Sequence, residues 1–146
     1  MKGQYVVLKE IIAFAIGVSM VIGLATLMST LLVPAVRDYV LSREIENLLL
    51  YVDLNLMEAY TSTKGISAVN MSYYISMPDD LLGSLYRINF VGRELCLTPE
   101  KYPSEECLES SIPSEVSLSG SYVSGTDMLV SVSKDGGFSI SISNPV

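Results

Sequence analysis

Residues Ile11–Val33 read IIAFAIGVSMVIGLATLMSTLLV, twenty-three positions without a charged side chain. At 1.5 Å of rise per residue such a helix is ~34 Å long, enough to cross a hydrocarbon core of ~30 Å. A buried helix of a soluble domain is the competing reading, but a chain of 146 residues has little other apolar surface to wrap it. A removable secretory signal is the second competitor. Its apolar run would cover only ~7–15 residues and end in small residues at a cleavage site. Here the run continues into Pro34-Ala35-Val36 and an amphipathic stretch, which favours retention as an anchor. The chain thus divides into a transmembrane helix, residues 4–34, and a remainder that belongs to water.

Hydrophobic residues make up 49% of the sequence and charged residues 17%, a low charge content that is concentrated outside the apolar run. There is no His and no Trp. That removes imidazole acid/base chemistry, imidazole metal ligation and Ser-His-Asp or Cys-His machinery. The net charge is −7 and the nine Lys and Arg form no stripe, so nucleic acid is not an expected partner. Lys2 and Lys9 precede the apolar run and Arg37 and Arg43 follow it, a tie under the positive-inside rule. The short N-terminal head, carrying a free amine and two lysines, breaks the tie. It is expected in the cytoplasm and the C-terminal domain outside the cell.

Residues 35–64 form the stalk. Arg37–Ser62 lacks Gly and Pro, and Val40, Leu41, Ile45, Leu48, Leu49, Val52, Leu56 and Tyr60 recur at spacings of three and four. This is the stripe of an amphipathic helix, with Arg43, Glu44, Glu46, Asp53 and Glu58 mostly off it and Gly65 as its stop. Pro34 joins the two helical stretches, so one long helix with a kink near Thr30–Pro34 is expected. Ala13, Gly17, Val21, Ala25 and Ser29 follow one ridge of the membrane helix, and Ala15, Ser19 and Gly23 an adjacent one. Small residues so spaced let neighbouring helices approach closely, with Gly17 and Gly23 as the helix-packing positions. The plainer reading is that Gly, Ala and Ser are simply common in membrane helices.

Residues 65–146 read as an extracellular β domain. Val69–Met77, Leu85–Val91, Glu94–Thr98, Glu115–Tyr122, Met128–Ser133 and Phe138–Ser143 are strand-like, and Gly92 marks a hairpin. Lys134-Asp135-Gly136-Gly137 between two strictly alternating runs is the strongest hairpin signal. The fold class is therefore α+β: a long kinked helix, then a small antiparallel sheet or sandwich of five to six strands packed on the apolar stripe. Pro99–Pro113 reads as an acidic loop. Its Glu100, Glu105, Glu106 and Glu109 lack the alternating carboxylates and central Gly of a calcium loop, so a solvated face is the expectation. Asp79-Asp80 beside Pro78 reads as turn chemistry.

Cys96 and Cys107, with ten residues between them, read as one local disulfide in an exported domain, against the alternative of two buried or free thiols. Asn70-Met71-Ser72 is an acceptor sequence for N-glycosylation. No nucleophile stands beside a base and no glycine loop cradles phosphate, so neither catalysis nor a cofactor is expected.

Met1-Lys2-Gly3-Gln4, followed shortly by the apolar helix, resembles the start of archaeal type IV pilin-like precursors. The resemblance implies a class III signal peptide: a leader, residues 1–3, cut between Gly3 and Gln4 by a prepilin peptidase, after which an assembly platform extracts the helix from the lipid membrane. The family pattern begins Gln-x-Ser-x-Glu-x-x-x-Leu. Gln4 matches, Val6 and Leu8 stand where Ser and Glu are usual, Ile12 replaces Leu, and Glu10 lies two places beyond the usual acid. Glu10 is the candidate for pairing with a neighbour's free amine, against the alternative that Lys9 balances it locally. The layout of a long N-terminal helix before an outward β domain with a local disulfide resembles pilins along the whole chain. It implies self-assembly with like subunits into a cell-surface filament, as a major or a minor subunit. A membrane-anchored accessory protein, such as an archaellum-motor or secretion-system component whose β domain binds a partner, is the alternative.

Overall fold

A computed structural model describes the backbone of residues 2–145 and the side chains of residues 9–145. The chain is helical from Lys2 to Thr63, as α1 (Lys2–Leu27), a π turn (Met28–Leu32) and α2 (Val33–Thr63). Two compact units follow from the contacts, Met1–Val40 and Leu41–Val146. Most of α2, from Leu41 to Thr63, thus belongs to the outer domain.

In the first unit, every described residue from Lys9 to Leu32 is exposed. The polar side chains within this apolar stretch satisfy themselves. Ser19 Oγ donates to the Ala15 carbonyl at 2.8 Å, and Thr26 Oγ1 to that of Ile22 at 2.8 Å. Ser29 and Thr30 both donate to the Thr26 carbonyl, at 3.0 and 2.7 Å. Hydroxyls bonded to their own helix add no orphaned group to a lipid-facing surface. The π turn occupies the place where a kink was expected. Val33 N–H reaches back five residues to the Met28 carbonyl, a wider turn immediately before Pro34. A proline lacks the amide that α geometry needs there and crowds the turn before it, and a π turn is one of the ways a helix absorbs that.

The outer domain packs Leu41–Thr63 against one seven-stranded sheet. Its strands are β1 (Val69–Ile75), β2 (Tyr86–Val91), β3 (Glu94–Pro99), β4 (Glu106–Glu109), β5 (Val116–Val123), β6 (Met128–Lys134) and β7 (Phe138–Ser143). They lie in the order β1-β6-β7-β5-β2-β3-β4. The helical stripe is buried as its spacing required: Leu41, Ile45, Leu48, Leu49, Val52, Leu56 and Tyr60 join the core with Ile88, Leu95, Leu97, Val130, Val132, Ile140 and Ile142. Val40 is the exception, at 37% exposure. Tyr60 also meets Phe138 edge to face, ring centres 5.2 Å apart. The β6–β7 hairpin pairs Lys134 with Phe138 around Asp135-Gly136-Gly137, with Gly136 at φ +77°, the left-handed geometry that such a loop demands.

Three expectations are corrected. The sheet has seven strands, not five or six, because β4 lies inside the stretch read as a loop. Its glutamates disguised it: Cys107 and Leu108 pair with Cys96 and Leu95, while Glu106 and Glu109 flank them on a short edge strand. The sheet is also not wholly antiparallel. β7 inserts between β6 and β5, and as the second strand after β5 it runs parallel to it. Finally, Asp53 is not off the stripe; it is 3% exposed.

Three tyrosines tie sheet, helix and loops together, and they carry a pH dependence. Tyr73 Oη donates to the Asn55 carbonyl of α2 at 3.1 Å, Tyr86 Oη to that of Pro78 at 2.6 Å, and Tyr122 Oη to that of Thr126. Burial, assisted by the Glu58 carboxylate, pushes the Tyr73 phenol up to about 12 from an ordinary value of 10.0. Burial likewise raises Tyr86 and Tyr122. An unfolded chain ionises these phenols first, so stability is full below pH 10 and falls as the pH rises through 10 toward 12. Thermal melts across that range should show a decline that is shallower for Tyr73→Phe. Identical slopes would mean that Tyr73 is not held protonated by the fold.

Candidate functional site

The features with functional potential lie separately in the two units. Lys2 through Leu8 are helical in backbone, which puts Gly3 and Gln4 on the first turns of α1; Met1 and the side chains up to Leu8 lie outside the described residues. Glu10 is exposed one position after Lys9. At Gly17 and Gly23 nothing beyond the adjoining helix backbone lies within 4 Å of where a Cβ would stand, so both open onto unoccupied space. Phe14, Met20 and Val21 beside them are 75%, 70% and 67% exposed. Among the described residues, this is the one helix long and apolar enough to cross a membrane.

In the outer domain, Cys96 and Cys107 face each other across β3 and β4 and are joined by a disulfide. Leu95 and Leu97 point into the core, so alternation places the bridge on the opposite face, where Cys107 is exposed. It staples a four-residue edge strand to its neighbour, a loop closure worth about 2–3 kcal/mol. Glu94 lies close to both sulfurs, within 4.8 Å, and the three side chains form the metal-capable grouping among the described residues. With both thiols spent in the disulfide, the donors left there are a single carboxylate and two weak sulfur acceptors. Asn70 is exposed on β1, and the Ser72 hydroxyl of its acceptor sequence lies 2.9 Å from that of Ser131.

Two open depressions mark the same domain. One, of 410 Å³, is lined by Arg87, Asn89, Thr98, Pro99, Glu100 and Ser121. It presents one guanidinium, one amide and two hydroxyls beside a carboxylate, a set suited to hydrogen bonding. The other, of 390 Å³, lies between Glu44, Leu48 and Tyr51 of α2 and Pro78, Asp80 and Leu81 of the β1–β2 connection.

A family model, that of the family of unknown function DUF7266, matches residues 2–143. The match takes in the membrane-type helix, the stalk and all seven strands. The chain belongs to DUF7266. No curated protein and no solved structure matches it.

The least legible feature of this DUF7266 chain is a polar clamp behind β4. Asp53 accepts from Ser110 Oγ at 2.7 Å, and its two carboxylate oxygens accept from Ser111 N–H at 3.2 and 3.1 Å. From the other side, Arg93 in the β2–β3 turn donates to the carbonyls of Ile112 and Pro113. A buried carboxylate on the helix and a guanidinium on the hairpin thus hold residues 110–113 between them. A signal existed: Asp53 lies four residues after Leu49 and three before Leu56, within the apolar stripe.

Proposed function

We propose that this chain is a structural, pilin-like subunit of an archaeal cell-surface filament, inserted in the membrane before assembly with its β domain outside. One observation carries the reading. Ile11 to Val33 forms a helix that is exposed along its whole length, uncharged, and polar only where hydroxyls bond back to their own turn. Such a surface needs lipid or other helices around it. In the membrane it is an anchor; in a filament the same apolar length is the core, and the domain from Leu41 onward is the coat. The domain's role is then non-enzymatic, and its disulfide suits an oxidising exterior. Prepilin peptidase and an assembly platform are the implied partners, lipid the first environment and like subunits the last.

Two measurements test this. Mass spectrometry of the chain from native membranes should find Gln4 as the first residue; consistent retention of Met1 would remove the main support for processing. Gly17→Leu and Gly23→Leu should reduce filament yield in electron micrographs at least tenfold while the Cys96–Cys107 bridge still forms, because the new side chains fill the space where helices meet. Normal filaments from both variants would exclude this packing face. If cleavage is absent and the unaltered chain never enters a filament, the membrane-anchored accessory protein is the correct reading, since lipid accepts Leu at either position.

A further inference from the structure

Of the chain's asparagines only Asn70 heads an acceptor sequence, Asn70-Met71-Ser72, with Met rather than Pro between. Its side chain is exposed and makes no hydrogen bond among the described residues. Asn55 and Asn144, by contrast, donate to backbone carbonyls. The strand register puts Asn70 at the end of a row that crosses β1, β6, β7 and β5 as Asn70, Ser133, Ser139 and Ser117. The next row is Ser72, Ser131, Ser141 and Ser119. Both rows lie on the face opposite the buried Val130, Val132, Ile140 and Ile142, and every member is at least partly exposed. Small hydroxyl side chains therefore flank Asn70 over about 14 Å, three strand spacings of ~4.8 Å.

We propose that Asn70 carries an N-linked oligosaccharide. The proposal rests on the placement of the β domain outside the cell. The donor is a lipid-phosphate-linked oligosaccharide, and the catalyst is a membrane transferase of the exporting cell. Asn70 Nδ2 displaces the phosphate oxygen from C1 of the first sugar. One C–N bond forms and one C–O bond breaks, the lipid phosphate leaves with the electron pair, and the amide proton passes to a base of the transferase. Nothing is oxidised or reduced.

The fold sets when this happens and what the sugar meets. In the finished sheet Ser72 Oγ lies 2.9 Å from Ser131 Oγ, so the hydroxyl that the acceptor sequence requires is already engaged. β1 has β6 as its sheet neighbour, and Ser131 comes 59 residues after Ser72. A chain exported behind its N-terminal helix thus presents Asn70 before the strand that will pair with it, while the segment is extended and open. Once the sheet closes, β1 is outermost in the strand order, and the sugar has the serine face on one side and solvent beyond the margin. The opposite edge strand, β4, is guarded by Glu106 and Glu109. β1 has no charge, and a bulky solvated sugar protects its edge in the same way.

Peptide mass spectrometry of the full chain from native membranes tests the proposal. The peptide containing Asn70 should carry a sugar mass increment. Asn70→Gln and Ser72→Ala should lower that occupancy about tenfold or more, whereas Ser72→Thr, which keeps the required hydroxyl, should retain it. Equal loss in Ser72→Thr and Ser72→Ala would overturn the proposal. Protease added to intact spheroplasts decides the placement independently. A domain that is digested yet unmodified at Asn70 overturns the proposal and leaves the outside placement standing; a protected, unmodified domain overturns both.

Discussion

Gly120→Ala should destabilise the outer domain by about 4 kcal/mol or more, a size reserved for a clash that cannot relax. β5 pairs with β7 as far as Gly120 opposite Ile142, and with β2 from Ser121 onward. At the changeover Gly120 adopts φ +106°, a conformation that L side chains rarely take. A Cβ there would lie 2.1 Å from the Ile142 carbonyl oxygen and 2.9 Å from its nitrogen. Those atoms are backbone, and Ile142 is itself paired with Val130 on the far side and 1% exposed, so β7 has nowhere to retreat. The φ penalty alone is about 1–3 kcal/mol, and displacing a central strand adds the rest. Gly125→Ala is the control. Its φ is +109°, yet nothing lies within 4 Å of the added carbon, so only the φ penalty applies. Urea unfolding followed by near-ultraviolet dichroism of the tyrosines measures both. Equal midpoints for the two variants would refute the close approach of β5 and β7.

Asp53→Ala is the second large effect, about 3 kcal/mol. The carboxylate is 3% exposed and accepts from one hydroxyl and one backbone amide. Hydrogen bonds to a charged acceptor are worth about 1.5–3 kcal/mol, and their loss leaves the buried Ser110 hydroxyl and the Ser111 amide without this acceptor. Asp53→Asn retains an acceptor oxygen and should cost about 1–2 kcal/mol. Arg93 grips the same segment through Ile112 and Pro113, so Asp53→Ala and Arg93→Ala should be non-additive. Denaturation midpoints of the two single variants and the double variant decide it; strict additivity would show that helix and hairpin hold residues 110–113 independently. Faster proteolysis within 110–113 in Asp53→Ala would locate the loss at the clamp itself.

Much of the outer domain was readable because its signals are local. The alternation of Met128–Ser133 and Phe138–Ser143 around Asp135-Gly136-Gly137 marked a hairpin that the structure contains, with Val130, Val132, Ile140 and Ile142 all buried. The helical stripe named its own buried residues for the same reason: period 3.6 puts them on one side whatever they pack against. β4 was not readable. Four residues with two glutamates have no strand signature, and what makes them a strand is Leu95-Cys96 lying opposite Cys107-Leu108. The small-residue positions Gly17 and Gly23 were legible as a pattern, and among the described residues both face open space.

Most elements are legible in the sequence alone: an uncharged membrane-length helix, an amphipathic continuation, and every strand but β4, with turns at Gly92 and Gly136. Each depends on periodicity and backbone freedom within a few residues. The strand order, the parallel pairing of β5 with β7, the role of Gly120 and the burial of Asp53 emerge only once the chain is folded. These depend on which segments, distant along the chain, come to lie side by side. A carboxylate is a solvated charge in the sequence; three hydrogen-bond contacts from a loop more than fifty residues away make it a buried clamp. Likewise, whether an edge is guarded or open is decided by which strands are left outermost, and the fold leaves acidic β4 at one side and uncharged β1 at the other.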